Sequence, residues 1–319
     1  MRADDRAPGC VLVLPCYNEE AVLPATLSAI DGLLQDMIRQ GLVSPGSFAL
    51  YVDDGSTDAT WSLIAAARAE AGPRLRGIRL AGNAGHQNAL LAGMAAAEAA
   101  DCVVTIDADL QDDIGVIPEM IRRFQAGSHV VYGVRAERKT DSWFKRTTAS
   151  LFYSLMRFLG APIIPGHADF RLVSRFALNA LEEYPERDLF LRSAFPAMHL
   201  RSSCVSYARK PRQAGETKYT LRKMLSFALL GIALYTSAPL RLAGCLGLLS
   251  FFLAVLLTGT TLFSWSTGSV VSGWTSLSLI ILYLGAVQLF CLAVIGEYVA
   301  KIFTEVKRRP RYRVEETLR

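Results

Sequence analysis

Asp107 and Asp109 stand two residues apart at the end of an apolar, β-branched run, Val103-Val104-Thr105-Ile106. In an extended segment that spacing puts both carboxylates on one side, close enough to share a divalent cation. Two hard oxygen ligands, completed by water and a diphosphate, are a usual setting for Mg²⁺ or Mn²⁺. An Asp-x-Asp pair is also a common surface turn, so the surrounding chain decides between the two readings.

Apolar strand-like runs alternate with helical stretches through the first half of the chain. Val11–Pro15 leads through Asn18 into a helix running towards Gln40. Phe48–Val52 ends in Asp53-Asp54-Gly55-Ser56-Thr57-Asp58, where Gly55 permits a tight turn and Ser56, Thr57 or Asp58 can cap the helix over 61–71. A short strand over 75–80, an Ala-rich helix over 89–100 and the run before Asp107 follow. This alternation predicts an α/β fold with a largely parallel sheet, in which ligands bind at the carboxyl ends of strands. Asn18, Asp53, Asp54, Asp107 and Asp109 all fall at such ends. Helix capping alone explains adjacent Asp53 and Asp54 poorly. No Gly-x-Gly-x-x-Gly follows the first strand and no Gly-x-x-x-x-Gly-Lys-Ser/Thr occurs, so dinucleotide and P-loop chemistry are unsupported.

The ordered motifs Leu14-Pro15-Cys16-Tyr17-Asn18-Glu19-Glu20, Val52 to Asp58 and Asp107-Ala108-Asp109-Leu110-Gln111-Asp112 resemble those of family 2 inverting glycosyltransferases. The closer resemblance is to the polyprenyl-phosphate group of bactoprenol glucosyltransferases and dolichol-phosphate mannose synthases. It continues through Gly166-His167-Ala168-Asp169-Phe170-Arg171-Leu172 to Gly296-Glu297-Tyr298. The resemblance implies a GT-A (Rossmann-like) catalytic domain. It implies donor binding by Pro15, Tyr17, Asn18, Glu20, Asp53, Asp54, Asn83, His86 and Asp107, with the Asp53-Asp54 pair on the nucleobase and ribose. It further implies Mg²⁺ or Mn²⁺ on Asp107, Asp109 and Gln111, and Asp107, Asp109 and Asp169 as the catalytic acids. The part played by Asp169 stays open between a base and an orienting group for Arg171 or the sugar. The Gln-x-x-Arg-Trp motif of processive synthases does not occur, which points to a single sugar transfer.

Basic residues cluster at 135–146 and 209–223. Most suit a solvated surface, but a phosphate acceptor at a membrane needs a few cations; Arg135, Arg212 and Lys218 are the candidates. A phosphomonoester has a second pKa near 6 (about that of a phosphorylated side chain), so it is already nucleophilic at neutral pH and needs no strong base. His86 and His167 have no partner histidine at metal-ligand spacing.

Hydrophobic residues make up 51% of the 319 and concentrate in the last third, while the net charge of +5 does not suggest nucleic acid. The six cysteines form no Cys-x-x-Cys pair, so reduced thiols are expected, and the first residues offer no secretory signal. The expected organisation is a catalytic domain over 1–208, basic amphipathic juxtamembrane helices over 209–239, a two-helix transmembrane hairpin over 240–300 and a basic cytosolic tail over 301–319. Leu242–Phe263 and Trp274–Ile295 lack charge and exceed the roughly 20 residues a span requires. Six cations (Lys301, Lys307, Arg308, Arg309, Arg311, Arg313) against one acid (Glu305) after the second span put the catalytic domain and both termini in the cytosol. The expected enzyme is therefore a multi-pass protein of the bacterial inner membrane. It would transfer one hexose, glucose from UDP-glucose, to undecaprenyl phosphate for envelope glycan modification. Formamido-arabinose and mannose are alternative sugars, the former suggested by Asp141-Ser142-Trp143-Phe144-Lys145. A non-catalytic membrane assembly subunit is a remote alternative, disfavoured by the intact Asp107/Asp109 pair. Relatives of this type can form homo-oligomers through the membrane part.

Overall fold

The computed structural model describes residues 6–136, 164, 166–187, 189–208, 238–267 and 273–319. They fall into two units, one built on a sheet and including residues 310–319, the other holding two long helices. Arg212, Lys218, the 141–145 segment and residues 209–237 of the stretch expected as amphipathic helices lie outside the described residues.

The sheet grows from β1 (Cys10–Cys16), whose seven residues are all buried. A strand covered on both faces must be apolar throughout, and this one is. β1 pairs in parallel with β2 (Phe48–Asp53) and β4 (Cys102–Thr105), and β2 with β3 (Leu75–Leu80). Beyond β4 the sheet continues through β6 (His167–Ser174), β5 (Val130–Arg135) and β7 (Ser202–Tyr207), and β8 (Val314–Leu318) closes the other edge, in the order β7-β5-β6-β4-β1-β2-β3-β8. The expected parallel sheet thus holds for β3-β2-β1-β4 and for β5–β7. β6 runs antiparallel to β4 and β5, and β8 antiparallel to β3, so the whole is mixed.

Each face carries a core. On one, α1 (Leu23–Arg39), α2 (Thr60–Ala71) and α4 (Ile117–Gln125) bury Ile30, Leu34, Ile64 and Met120 against Leu12 and Leu14. On the other, α3 (His86–Ala96), α5 (Arg175–Glu182) and α6 (Leu191–Ala197) pack against Val11, Val13 and Val173.

Residues 301–319, expected as one basic tail, divide in the structure. The helix α8 (Trp274–Val306) runs through the first of them, and Val314–Leu318 adds to the sheet. A five-residue strand containing two adjacent acids has too little hydrophobic alternation to be read from sequence. It is held by its backbone ladder to β3, by Trp61 Nε1 donating to Glu316 Oε2 at 3.0 Å and by Arg68 Nη2 donating to the Arg319 carbonyl at 2.6 Å. Arg311 donates to the Tyr184 carbonyl at 3.1 Å and to that of Glu186, and Tyr312 packs on the second core.

In the second unit, α7 (Ala238–Ser266) and α8 contain apolar stretches, Pro239–Thr260 and Tyr283–Val306, long enough to cross a membrane. Phe251, Phe263 and Leu289 are more than 60% exposed, outward-facing apolar surface that suits a bilayer better than water. α8 carries on past the expected end at Ile295 without a break.

The turn after β2 sets a strict steric condition. Gly55 has φ +70°, and a Cβ there would lie 2.6 Å from the Gly82 carbonyl carbon, backbone against backbone. Gly32, inside α1, faces open space. Gly55→Ala should lower stability by about 1–3 kcal/mol or more, whereas Gly32→Ala should raise it by about 0.5–1 kcal/mol. Opposite shifts of the thermal unfolding midpoint in detergent check both.

Candidate active site

The motif residues meet at the carboxyl ends of the parallel strands, and many of them hold one another. Asn18, at φ +53° after β1, accepts from the Thr57 backbone N–H at 2.9 Å, while its own N–H donates to Ser56 Oγ at 3.0 Å. The Glu19 N–H donates to Thr60 Oγ1, and Glu20 Oε2 accepts from the Ala59 N–H. The cap position of α2 is Ala59, which has no side chain for the purpose, and Asp58 Oδ1 one residue earlier accepts from Thr60 N at 3.0 Å. The β1–α1 and β2–α2 loops are therefore locked together, with Pro15 buried beneath them, Tyr17 exposed beside them and Asn83 exposed on the neighbouring loop.

Asp53 and Asp54 are almost fully buried, at 0% and 3% exposure. Asp53 Oδ1 accepts from Ser56 N at 3.1 Å, and its Oδ2 lies 3.5 Å from Arg79 Nε. Asp54 receives the Ala84 N–H at 2.7 Å and the Gly85 N–H at 2.9 Å. Burial pushes both carboxyls up; the Ser56 bonds and Arg79 oppose this for Asp53, and the two loop amides for Asp54. In this arrangement Asp53 holds its own turn, Asp54 holds the β3–α3 loop, and the pair presents little carboxylate surface to a ligand.

Asp107 follows β4 with its side chain about 30% exposed, yet Oδ1 is buried without a hydrogen-bond partner. Burial raises its pKa, His86 opposes that, and Asp169, Asp112 and Asp109 add to it. Asp109 Oδ1 accepts the Gln111 N–H at 3.1 Å across a turn in which Leu110 has φ +52°, a conformation a leucine rarely adopts and one found preferentially at functional sites. A buried, unpartnered carboxylate oxygen next to a second carboxylate fits a hard cation. Among the described residues no group of three or more His, Cys, Asp or Glu side chains could hold one alone, so the remaining ligands would come from Gln111, water or substrate.

Asp169 is the most heavily engaged acid. On one face of β6, its Oδ1 accepts from Arg171 Nη2 at 2.6 Å and its Oδ2 from Arg192 Nη2 at 2.8 Å. His86 Nε2 lies 3.4 Å from Asp169 and 3.6 Å from Asp107, bridging the two acids. Burial would raise the Asp169 pKa, but His86, Arg192 and Arg171 outweigh it and hold the carboxyl well below the usual range. Protonation would break two ion pairs, so Asp169 is a poor base and a good anchor. For His86, whose side chain is 43% exposed, partial desolvation pulls the pKa down and the two acids more than reverse it. His167 is buried with both ring nitrogens unpartnered, edge-on to Tyr132.

Arg135, at the end of β5, pairs with Asp112 at 3.4 Å and stays partly exposed. The sequence reading missed Arg192, Arg79 and Tyr207, and it quoted Asp112 without a role. Arg171 was quotable from its motif, whereas Arg192 sits in Leu189-Phe190-Leu191-Arg192, which reads as ordinary helix.

Glycosyl transferase family 2 matches residues 11–181, and the GtrB C-terminal hairpin matches residues 238–302. The chain is 46% identical over 309 residues to the uncharacterized glycosyltransferase YkoT of Bacillus subtilis, covering 97% of this chain and 91% of that one. It is 36% identical over 314 residues to the SfII prophage-derived bactoprenol glucosyl transferase of Shigella flexneri, covering 97% and 98%. Over 307 residues it is 35% identical to the prophage bactoprenol glucosyl transferase homolog of Escherichia coli, covering 94% and 96%.

Asp169→Asn would leave two guanidinium groups facing a neutral amide, one of them fully buried, and should cost about 3–5 kcal/mol at pH 7. Because its folded pKa is depressed, the carboxylate's contribution is complete above its unfolded value of about 3.9 and is lost as pH falls below that towards the lowered folded value. Denaturant unfolding should show the full gap between parent and variant at pH 5–7 and a narrowing gap below about pH 4.

Proposed function

The chain belongs to glycosyl transferase family 2, with the mixed α/β sheet of a GT-A fold, and from that premise we propose a specific reaction for this glycosyltransferase. It moves one hexose, glucose from UDP-glucose, onto undecaprenyl phosphate at the cytoplasmic face of a bacterial inner membrane. The observation that carries the reading is Asp107 at the end of β4: its Oδ1 is buried with no hydrogen bond and lies 3.6 Å from His86 Nε2, which also meets Asp169. The near-full-length likeness to proteins named bactoprenol glucosyl transferase supports the choice of sugar and acceptor.

In this reading Asp107, Asp109 and Gln111 hold Mg²⁺ or Mn²⁺, which when bound neutralises charge on the departing nucleoside diphosphate. The loops tied by Asp54, Asn18 and Glu20 form the nucleotide side. Arg135 receives the acceptor phosphate. A phosphate oxygen attacks the anomeric carbon as its bond to the diphosphate breaks, inverting that centre. The dianionic phosphate needs no base, which suits an Asp169 kept ionised by two arginines. Asp169 then orients Arg192 and His86.

Connectivity supports the topology. β8 belongs to the catalytic sheet and follows α8 across residues 307–313 only. At about 3.5 Å per residue that link is too short to recross a hydrocarbon core of about 30 Å. This short link supports a catalytic domain on the cytoplasmic side, as do the basic residues between 301 and 313.

The test is a donor panel: membranes containing the protein, undecaprenyl phosphate, Mn²⁺ and, in parallel, UDP-glucose, UDP-galactose, GDP-mannose and UDP-formamido-arabinose. Glycolipid should form from UDP-glucose; product from another donor alone would replace the sugar, and none from any would remove the reading. Chelation should stop transfer and added Mn²⁺ restore it. Asp109→Asn should lower kcat by at least about a hundredfold and weaken Mn²⁺ binding, with the unfolding midpoint unchanged.

A further inference from the structure

We infer that Asp112 and Tyr207 are positioning residues that set the Arg135 guanidinium for the acceptor phosphate, an inference that rests on the phosphate-acceptor reading above. Arg135 and Tyr207 are the last residues of the parallel strands β5 and β7 and stand opposite each other in register. Asp112 arrives from the loop that carries Asp107, Asp109 and Gln111. The three side chains close a triangle: Tyr207 OH donates to Asp112 Oδ1 at 2.6 Å, Arg135 Nη2 donates to the same oxygen at 3.4 Å, and Arg135 Nε donates to Tyr207 Oη at 3.3 Å.

The triangle is rigid on its protein side and open on the other. Asp112 is 2% exposed, and its second oxygen is buried without a hydrogen-bond partner. Among the described residues, the cation that pairs with this carboxylate is Arg135. The Tyr207 ring is pinned edge-on to Phe170 at 5.3 Å. The backbone follows suit, with Arg135 N–H donating to the Gly166 carbonyl and Ala136 N–H to that of Tyr207. The Arg135 side chain remains 31% exposed, enough to meet a ligand. A guanidinium is a flat fork that matches phosphate oxygens, and fixing it beforehand removes part of the ordering cost of binding. Since Asp112 lies in the proposed metal loop, the same contacts tie the donor side to the acceptor side.

Steady-state kinetics of the full-length enzyme in detergent, with undecaprenyl phosphate and the donor that supports turnover, test this. Tyr207→Phe keeps the ring and removes only the hydroxyl. It should raise the acceptor KM about tenfold, with donor KM and kcat within about twofold, and should add little on top of Arg135→Lys. Asp112→Asn gives a second route to the same split should the Phe variant fold poorly. An unchanged acceptor KM in Tyr207→Phe, where Arg135→Lys raises it, overturns the positioning role and leaves the phosphate reading intact. Equal rises in donor and acceptor KM also overturn it, as a merely structural effect. No change of acceptor KM in Arg135→Lys removes the phosphate reading itself.

Discussion

A carboxylate sealed inside a protein has to be compensated, since moving an ion out of water costs several kcal/mol even after relaxation. Asp169 is such a group, and satisfying it draws three elements to one point. β6 supplies Arg171, α6 supplies Arg192 and α3 supplies His86, while β4 holds the Asp169 carbonyl through Thr105 Oγ1 at 2.5 Å. The attachment is reinforced by neighbours: Arg171 Nη1 donates to the Leu191 carbonyl, and Leu191 N–H to Gln87 Oε1. Asp107 stands at the edge of this assembly, within 3.6 Å of His86. Its environment is a consequence of how the Asp169 charge is balanced.

The loops on the nucleotide side follow a complementary logic. They carry many short polar residues that could have been solvated individually. Instead Asn18, Glu20, Ser56, Thr57, Asp58 and Thr60 bond across two loops, and Asp54 fastens a third. Polar residues that look like ligand contacts in a motif can thus act one layer deeper, fixing backbone that meets the ligand.

This explains how much could be read in the sequence. Of the parallel strands, β1, β2 and β4 were legible because each is a continuous apolar run ending in polar residues, a signature forced by burial on both faces, whereas β3 carries half-buried Arg76 and Arg79 and was legible from its place in the alternation. Asp107, Asp109 and Asp169 were legible because each ends or opens such a run or sits within a recognisable motif. Strands β6, β7 and β8 were not read as strands. β7 is half-exposed and mixed in composition, and β8 is stabilised by pairing and by Trp61 and Arg68 from elsewhere in the chain. Arg192 and Tyr207 escaped for the same reason: their partners, Asp169 and Asp112, are distant in sequence, so nothing local marks them. The burial of Asp53 and Asp54 was likewise hidden, since adjacent acids ordinarily read as surface.

The position of β8 also bears on how the protein comes into being. Synthesis proceeds from the N-terminus, so the other seven strands leave the ribosome before either long helix. β3 must wait with an unpaired edge, the kind of surface that invites aberrant strand pairing, until residues 314–318 are made. Its partner strand follows α8 directly and becomes available only once both apolar helices have been synthesised. Completion of the sheet thus comes after synthesis of both helices, and a chain cut short anywhere within the hairpin carries a catalytic half whose β3 edge was never covered.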